Sequence, residues 1–212
     1  VKPPKLKKKR DRPGVETALL RLFKEIGVPR QEYEDAGLDI GNTPARIVKM
    51  YRDELLSSYK PGAYEALVKR FTCFDSDGQD AMVTIGPIDF NSLCAHHMLP
   101  FTGCAYVGYL PKAKLIGASK IPRVVDFYAA MLQIQERLSR QVADFIVEHA
   151  TPRAVLVLMT AKHQCMQCRG VKKQSAALIS TAIRPTDVYE DNRGVVDEFY
   201  KQISLLDQKY GR

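Results

Sequence analysis

Apolar residues fall at helical spacing near the start of the chain. Val15, Leu19, Leu22, Phe23 and Ile26 share one face, and Gly27 with Pro29 beyond it ends the run, which predicts an amphipathic helix over 15–27. Asn42-Thr43-Pro44 offers a helix start with Pro in the first turn, and Ile47, Met50, Tyr51 and Leu55 continue as the stripe of a second helix. Tyr59 to Asp80 mixes Gly, Pro and charge and predicts no definite element. From Met82 the texture changes to β-like runs over 82–90 and 103–110, joined by a turn from Cys94 to Pro100. A short strand and loop fall within 112–120. A long helical pattern follows, with Val124, Phe127, Tyr128, Met131, Leu138, Val142, Phe145 and Ile146 on one face and a break at Thr151-Pro152. The stripe is irregular around Leu132 to Gln135, so one helix or two stacked helices fit equally. Ala154–Thr160 and Ala176–Ile183 read as strands, and 186–210 as a loop and closing helix.

Strand, strand, helices, strand, strand, with hairpin-like links within each pair, predicts an α+β fold: an antiparallel four-stranded sheet with helices packed on one face, plus an N-terminal helical extension. The expected divisions are a disordered basic leader over 1–14, a helical region over 15–58 and a main domain over 59–212.

Charge sharpens this division. Seven Lys or Arg against one Asp within residues 1–13 account for +6 of the net +8, leaving +2 for the rest of the chain. Basicity therefore belongs to the leader, where a solvated segment is a plainer reading than a nucleic-acid or membrane contact. Five scattered cysteines and no apolar leader argue against a secreted disulfide framework, and no apolar run reaches the roughly 20 residues a membrane helix needs. The expectation is a reduced, cytoplasmic protein.

The candidate chemistry sits in two clusters. Cys94-Ala95-His96-His97 places a thiol and an imidazole three residues apart, a spacing at which one tight turn holds two ligands of a single metal ion. His163-Gln164-Cys165-Met166-Gln167-Cys168-Arg169-Gly170 lies farther on. If it enters on a strand, His163, Cys165, Gln167 and Arg169 face one side, so Cys165 becomes the third ligand of an open zinc shell of the kind that activates water. The alternative is that Cys168 closes the shell as a structural zinc site. His96 and His163 favour the open shell, because a closed site has no use for imidazoles beside it and an acid/base role then suits both.

Lys120 and Arg123 follow Ser119 near a helix start, where backbone N–H groups favour anions, and Arg169 is a third cation beside a proposed ligand; together they suggest a polyphosphate. Glu136, within Gln135-Glu136-Arg137, would accept the paired N1 and N2 hydrogens of guanine if it met the site, although a solvated carboxylate is its ordinary role.

Five separated motifs occur in one order: Ser92-Leu-Cys94-Ala-His96-His97, Gly108-Tyr-Leu-Pro111, Ile116-Gly-Ala-Ser119-Lys120-Ile-Pro-Arg123, Gln133-Ile-Gln135-Glu136-Arg-Leu138 and His163-Gln-Cys165-Met-Gln-Cys168-Arg169-Gly170. Together with Thr43-Pro44-Ala-Arg46 they resemble the zinc-dependent GTP cyclohydrolase I family over about residues 15–200. The resemblance implies a tunnelling-fold (T-fold) subunit of a toroidal homodecamer with active sites at subunit boundaries. It implies Cys94, His97 and Cys165 as zinc ligands, His96 and His163 as acid/base residues, Gln135 and Glu136 at the guanine, and Ser119, Lys120, Arg123 and Arg169 at the triphosphate. The implied reaction adds water at C8 of GTP, opens the imidazole ring, releases formate and recloses the product as 7,8-dihydroneopterin triphosphate. Two positions depart from the family pattern: Ala95 stands where an acidic residue is usual, and Cys168 where Cys is uncommon.

Overall fold

The computed structural model describes residues 14–34, 42–185 and 192–210; the basic leader lies outside them. In chain order the elements are α1 (Val15–Glu25), α2 (Gln31–Glu34), α3 (Thr43–Lys49), α4 (Ala63–Arg70), β1 (Cys73–Asp75), β2 (Val83–Cys94), β3 (Pro100–Leu110), β4 (Lys114–Ile116), α5 (Lys120–Ala129), β5 (Leu132–Gln133), α6 (Gln135–Ala150), β6 (Ala154–His163), α7 (Gln164–Gln167), β7 (Leu178–Pro185) and α8 (Asn192–Tyr210). Pro44 opens α3, where a missing N–H costs nothing, but Asn42 makes no side-chain capping bond. The stripe beyond Lys49 widens into a π-helical turn over Met50–Leu55.

The predicted four antiparallel strands form one sheet, and β5 adds a two-residue parallel strand at its edge, giving the order β5-β2-β3-β6-β7. A separate ribbon pairs β1 with β4. The irregular stripe around Leu132 resolves into two helices joined by β5. Polar side chains hold that extended link. The Gln133 amide donates to the Tyr128 carbonyl at 2.8 Å and to Gln141 Oε1 at 2.8 Å, while Arg137 Nε donates to Gln133 Oε1 at 2.9 Å. Each bond is made inside the fold, so the extended stretch buries no orphaned amide.

The main core lies on one face of the sheet, where α4, α5 and α6 deliver Leu67, Ile121, Val124, Val125, Leu138, Val142 and Phe145 against Val107, Val155 and Val157. The alternate residues Tyr106 and Leu156 point to the other face, where Phe199 and Ile203 of α8 cover them in a smaller cluster.

Gly103 marks the closest approach of β3 to β6. A Cβ there would run into the Thr160 carbonyl oxygen and come within 2.7 Å of Ala161 Cα. Backbone cannot yield as a flexible side chain can, so Gly103→Ala is expected to destabilise the fold by about 2 kcal/mol or more, measurable as a lower denaturation midpoint with unchanged slope.

Candidate active site

Strand register brings the two sequence clusters together. Phe101, at the start of β3, pairs with His163, at the end of β6. The turn before β3 and the turn after β6 therefore lie at the same end of the sheet. The first is a tight hairpin turn: the Cys94 carbonyl accepts from Met98 N at 2.8 Å and from His97 N at 3.3 Å, and Cys94 N donates to Leu99 O at 2.9 Å. Ala95 N donates to Gln133 O at 2.8 Å, so β5 braces the turn from the other side.

The second turn corrects the expectation of a strand through Cys165. β6 stops at His163, and Cys165 is carried by the single helical turn α7, closed by Cys168 N donating to Gln164 O at 2.9 Å. Strand parity therefore does not govern Cys165 or Cys168. The turn is pinned from behind by Gln167 and Gln174, each donating its side-chain amide to the other's backbone carbonyl.

One ligand atom each from Cys94, His97 and Cys165 lies within 4.8 Å of the others, the only such group of three among the described residues. The two sulfurs are 3.9 Å apart, and His97 Nδ1 is 3.8 Å from Cys94 Sγ. Cys168 is exposed and outside the group, which leaves the shell open and disfavours the closed alternative. Burial first, and the adjacent Cys94 sulfur second, push the Cys165 thiol above its ordinary pKa, with the nearby Arg169 charge opposing. A pair of thiols so placed ionises together only against a cation, and two thiolates with one imidazole suit a borderline-soft divalent ion. The donor set thus fits a metal ion.

Of the other three histidines, His96 and His163 lie beside these ligands in the chain, whereas His149 stacks on Phe145 in the core. His96 is exposed, its Nδ1 3.8 Å from Cys94 Sγ. His163 is buried, with its ring stacked on Phe101 at a centroid distance of 4.4 Å and an interplanar angle of 3°. Burial pushes the imidazole below its ordinary pKa, and the Glu136 charge partly opposes this. The exposed Glu136 carboxylate stands in the first turn of α6, next in the chain to Gln135, whose Oε1 meets His163.

Gln135 is turned into the wall of the site. Its side chain is fully buried and its amide is committed within the chain: Nε2 donates to Met159 O and Leu178 O, both at 3.0 Å, and Oε1 faces His163 Nε2 at 2.9 Å. These contacts make the side chain part of the interior wall of the site. Ser119, Lys120 and Arg123 are also apart from the metal donors. The far end of α5 is tied to β2 by Ser92 Oγ donating to Ala129 O at 2.7 Å, two residues before Cys94. The ten residues of α5 put its basic start about 15 Å away along the axis. There Arg123 lines a cavity of about 400 Å³ with Arg70 and Asp126. A larger cavity of about 610 Å³ opens by Thr102, Tyr106, Lys162 and Asp207 and takes in none of the metal donors.

The stacking partner Phe101 and the bracing residue Gln174 carry no motif of their own, and the bracing role of Gln133 is not read from its motif, because these roles exist only once β3, β5 and β6 are in register.

A T-fold sheet backed by helices and an open Cys-His-Cys pocket flanked by two imidazoles define a metal-dependent hydrolase. The GTP cyclohydrolase I family model matches residues 16–204, and the chain belongs to that family. It is 42% identical over 172 residues to GTP cyclohydrolase 1 of Methylococcus capsulatus, covering 80% of this chain and 86% of that one. The protein of the same name from Wolinella succinogenes is 39% identical, covering 81% of this chain and 87% of its own. That of Streptococcus pneumoniae is 35% identical over 92% of this chain and 100% of its own. Among solved structures, the apo form of the archaeosine synthase QueF-Like overlays 54% of this chain at TM-score 0.40 and 14% identity, a remote likeness. No described helix is long and apolar enough to cross a membrane.

Proposed function

We propose that the chain converts GTP to 7,8-dihydroneopterin triphosphate and formate, with zinc held by Cys94, His97 and Cys165. The observation that carries this reading is the three-donor group within 4.8 Å, left open by the exposed Cys168 and flanked by His96 and His163. When bound, zinc supplies Lewis-acid activation of water near neutral pH.

The protein residues bind and move protons. Glu136 accepts N1–H and one N2–H of guanine, a pairing that adenine does not offer. Water adds at C8 as N7 takes a proton, and cleavage of the C8–N9 bond leaves a formamide on N7. A second water releases formate. The freed amine then condenses with the carbonyl of the rearranged ribose and expels water, so the net consumption is a single water. His96 and His163 are the acid/base pair for these transfers, His163 with its Nδ1 lone pair left over from the Nε2 contact to Gln135.

Arg169 is the cation on the metal side, its charge already felt at Cys165. Ser119, Lys120 and Arg123 complete the triphosphate site from a neighbouring copy of the chain in a toroidal decamer. Their position at the start of α5, opposite the end tied to β2, supports this division.

Incubation with GTP and zinc, followed by assay of free formate and of fluorescent neopterin phosphates after oxidation, tests the reading; a zinc-loaded assembly that forms neither contradicts it. His96→Ser is expected to keep its metal and to lose turnover by about 10²–10⁴-fold, the usual contribution of a general acid or base. Metal analysis checks the assignment, since a fall in zinc content would make His96 the ligand in place of His97.

A further inference from the structure

We propose that Gln135 is a positioning residue that fixes the tautomer and orientation of His163, an inference that rests on the proposed cyclohydrolase reading. Gln135 is 0% exposed and spans three elements, from the first turn of α6 to β6 and β7. Both Met159 O and Leu178 O are carbonyl acceptors, each 3.0 Å from the same side-chain nitrogen. Only an NH₂ group satisfies two carbonyls, and a flipped amide would turn its oxygen against both. The amide orientation is thereby set by the backbone, and its oxygen must be the atom 2.9 Å from His163 Nε2. An oxygen acceptor there requires Nε2 to carry hydrogen, so the neutral ring holds its lone pair on Nδ1.

Phe101, parallel to the imidazole at 3°, removes the remaining freedom of rotation out of plane. The ring is held in plane by an amide and in stack by an aromatic, and the amide belongs to the residue next to Glu136. A single peptide unit at the start of α6 thus joins the group that reads the base to the group that moves a proton on it. The same contacts make Gln135 dispensable as a base reader, because no hydrogen of its amide is left for one.

Two variants separate this role from a purely structural one. Gln135→Met keeps the length of the side chain and removes every hydrogen bond. Gln135→Glu keeps an oxygen for His163 Nε2–H but sets a carboxylate oxygen against the carbonyls of Met159 and Leu178, so it is the more disruptive to the fold. Positioning predicts opposite orders in the two readouts: Gln135→Glu melts lower than Gln135→Met, yet keeps the higher kcat per zinc-loaded site. Gln135→Met is expected to lose kcat by about 10–100-fold, as partners that orient site residues commonly do, with KM for GTP within about twofold because Glu136 is untouched. In a His163→Ala background the further change to Gln135→Met is expected to leave residual formate release unaltered. Equal kcat losses, a lower kcat for Gln135→Glu, or loss of zinc from both variants would assign Gln135 to the fold alone and overturn the proposal. Absence of formate from the unmodified protein would instead sink the cyclohydrolase reading.

Discussion

Cys165→Ala is expected to leave a folded chain that neither retains zinc nor releases formate. The side chain is only half-buried at the edge of the core, on a single-turn helix pinned by Gln167 and Gln174 rather than by the thiol. Its loss therefore costs about 1–2 kcal/mol or less of stability, below the usual range for a large core truncation. The metal loses one of three protein donors, and the two that remain come from one turn with nothing opposite them. Turnover is expected to fall by more than about 10³-fold, because water would have to react near its unactivated pKa. Cys168→Ala is the matched control, three residues away and exposed, and keeps both metal and activity. Zinc analysis, a melting curve and formate release on the two variants check the contrast.

The second large effect is at the other end of α5. Replacing Lys120 and Arg123 together by Ala removes two cations from the proposed triphosphate site. With about 1.5–3 kcal/mol for each hydrogen bond to a charged group, kcat/KM for GTP falls by about 10²–10⁴-fold while zinc content is unchanged. Because Arg123 lines a cavity with Arg70 of α4 rather than with the metal donors, the defect is expected to be complemented in trans. Dissociating this double variant and Cys165→Ala, mixing them equally and reassembling them should restore up to about a quarter of the sites under the proposed arrangement, in which each site draws its two halves from different copies in a closed ring. A mixture as inactive as its components would place both halves of a site in one chain.

These two predictions draw on residues of very different legibility. Cys94 and His97 were readable because their relation is local: three residues within one hairpin turn fix their own geometry. Cys165 was readable as a ligand, but its geometry was not. A strand through 163–169 would have sorted Cys165 from Cys168 by parity, whereas the chain leaves the sheet at His163 and turns helically for four residues, too few to print a period on the sequence. The four antiparallel strands, joined in two pairs by hairpin-like links, followed from the change of period at Met82, whereas the pairing of β3 with β6 across α5 and α6 did not. β5 did not, since two residues paired in parallel with Leu93 and Cys94 leave no pattern, and their stability comes from the Gln133 and Arg137 side chains.

Gln135 shows the same limit most sharply. The family resemblance sets it with Glu136 at the guanine. On the first turn of α6 the neighbouring side chains diverge, so Glu136 is exposed and Gln135 is turned inward to Met159, Leu178 and His163. Contacts 24, 43 and 28 residues away in the chain decide its role, and no window of local sequence contains them.

X-ray absorption at the zinc edge tests the open shell most directly. The account predicts two sulfur neighbours, one imidazole nitrogen and one further light atom that azide or another small anion can replace. Three sulfur neighbours, or a shell that no added ligand perturbs, would mean that Cys168 closes the site and that no position remains for the reacting water.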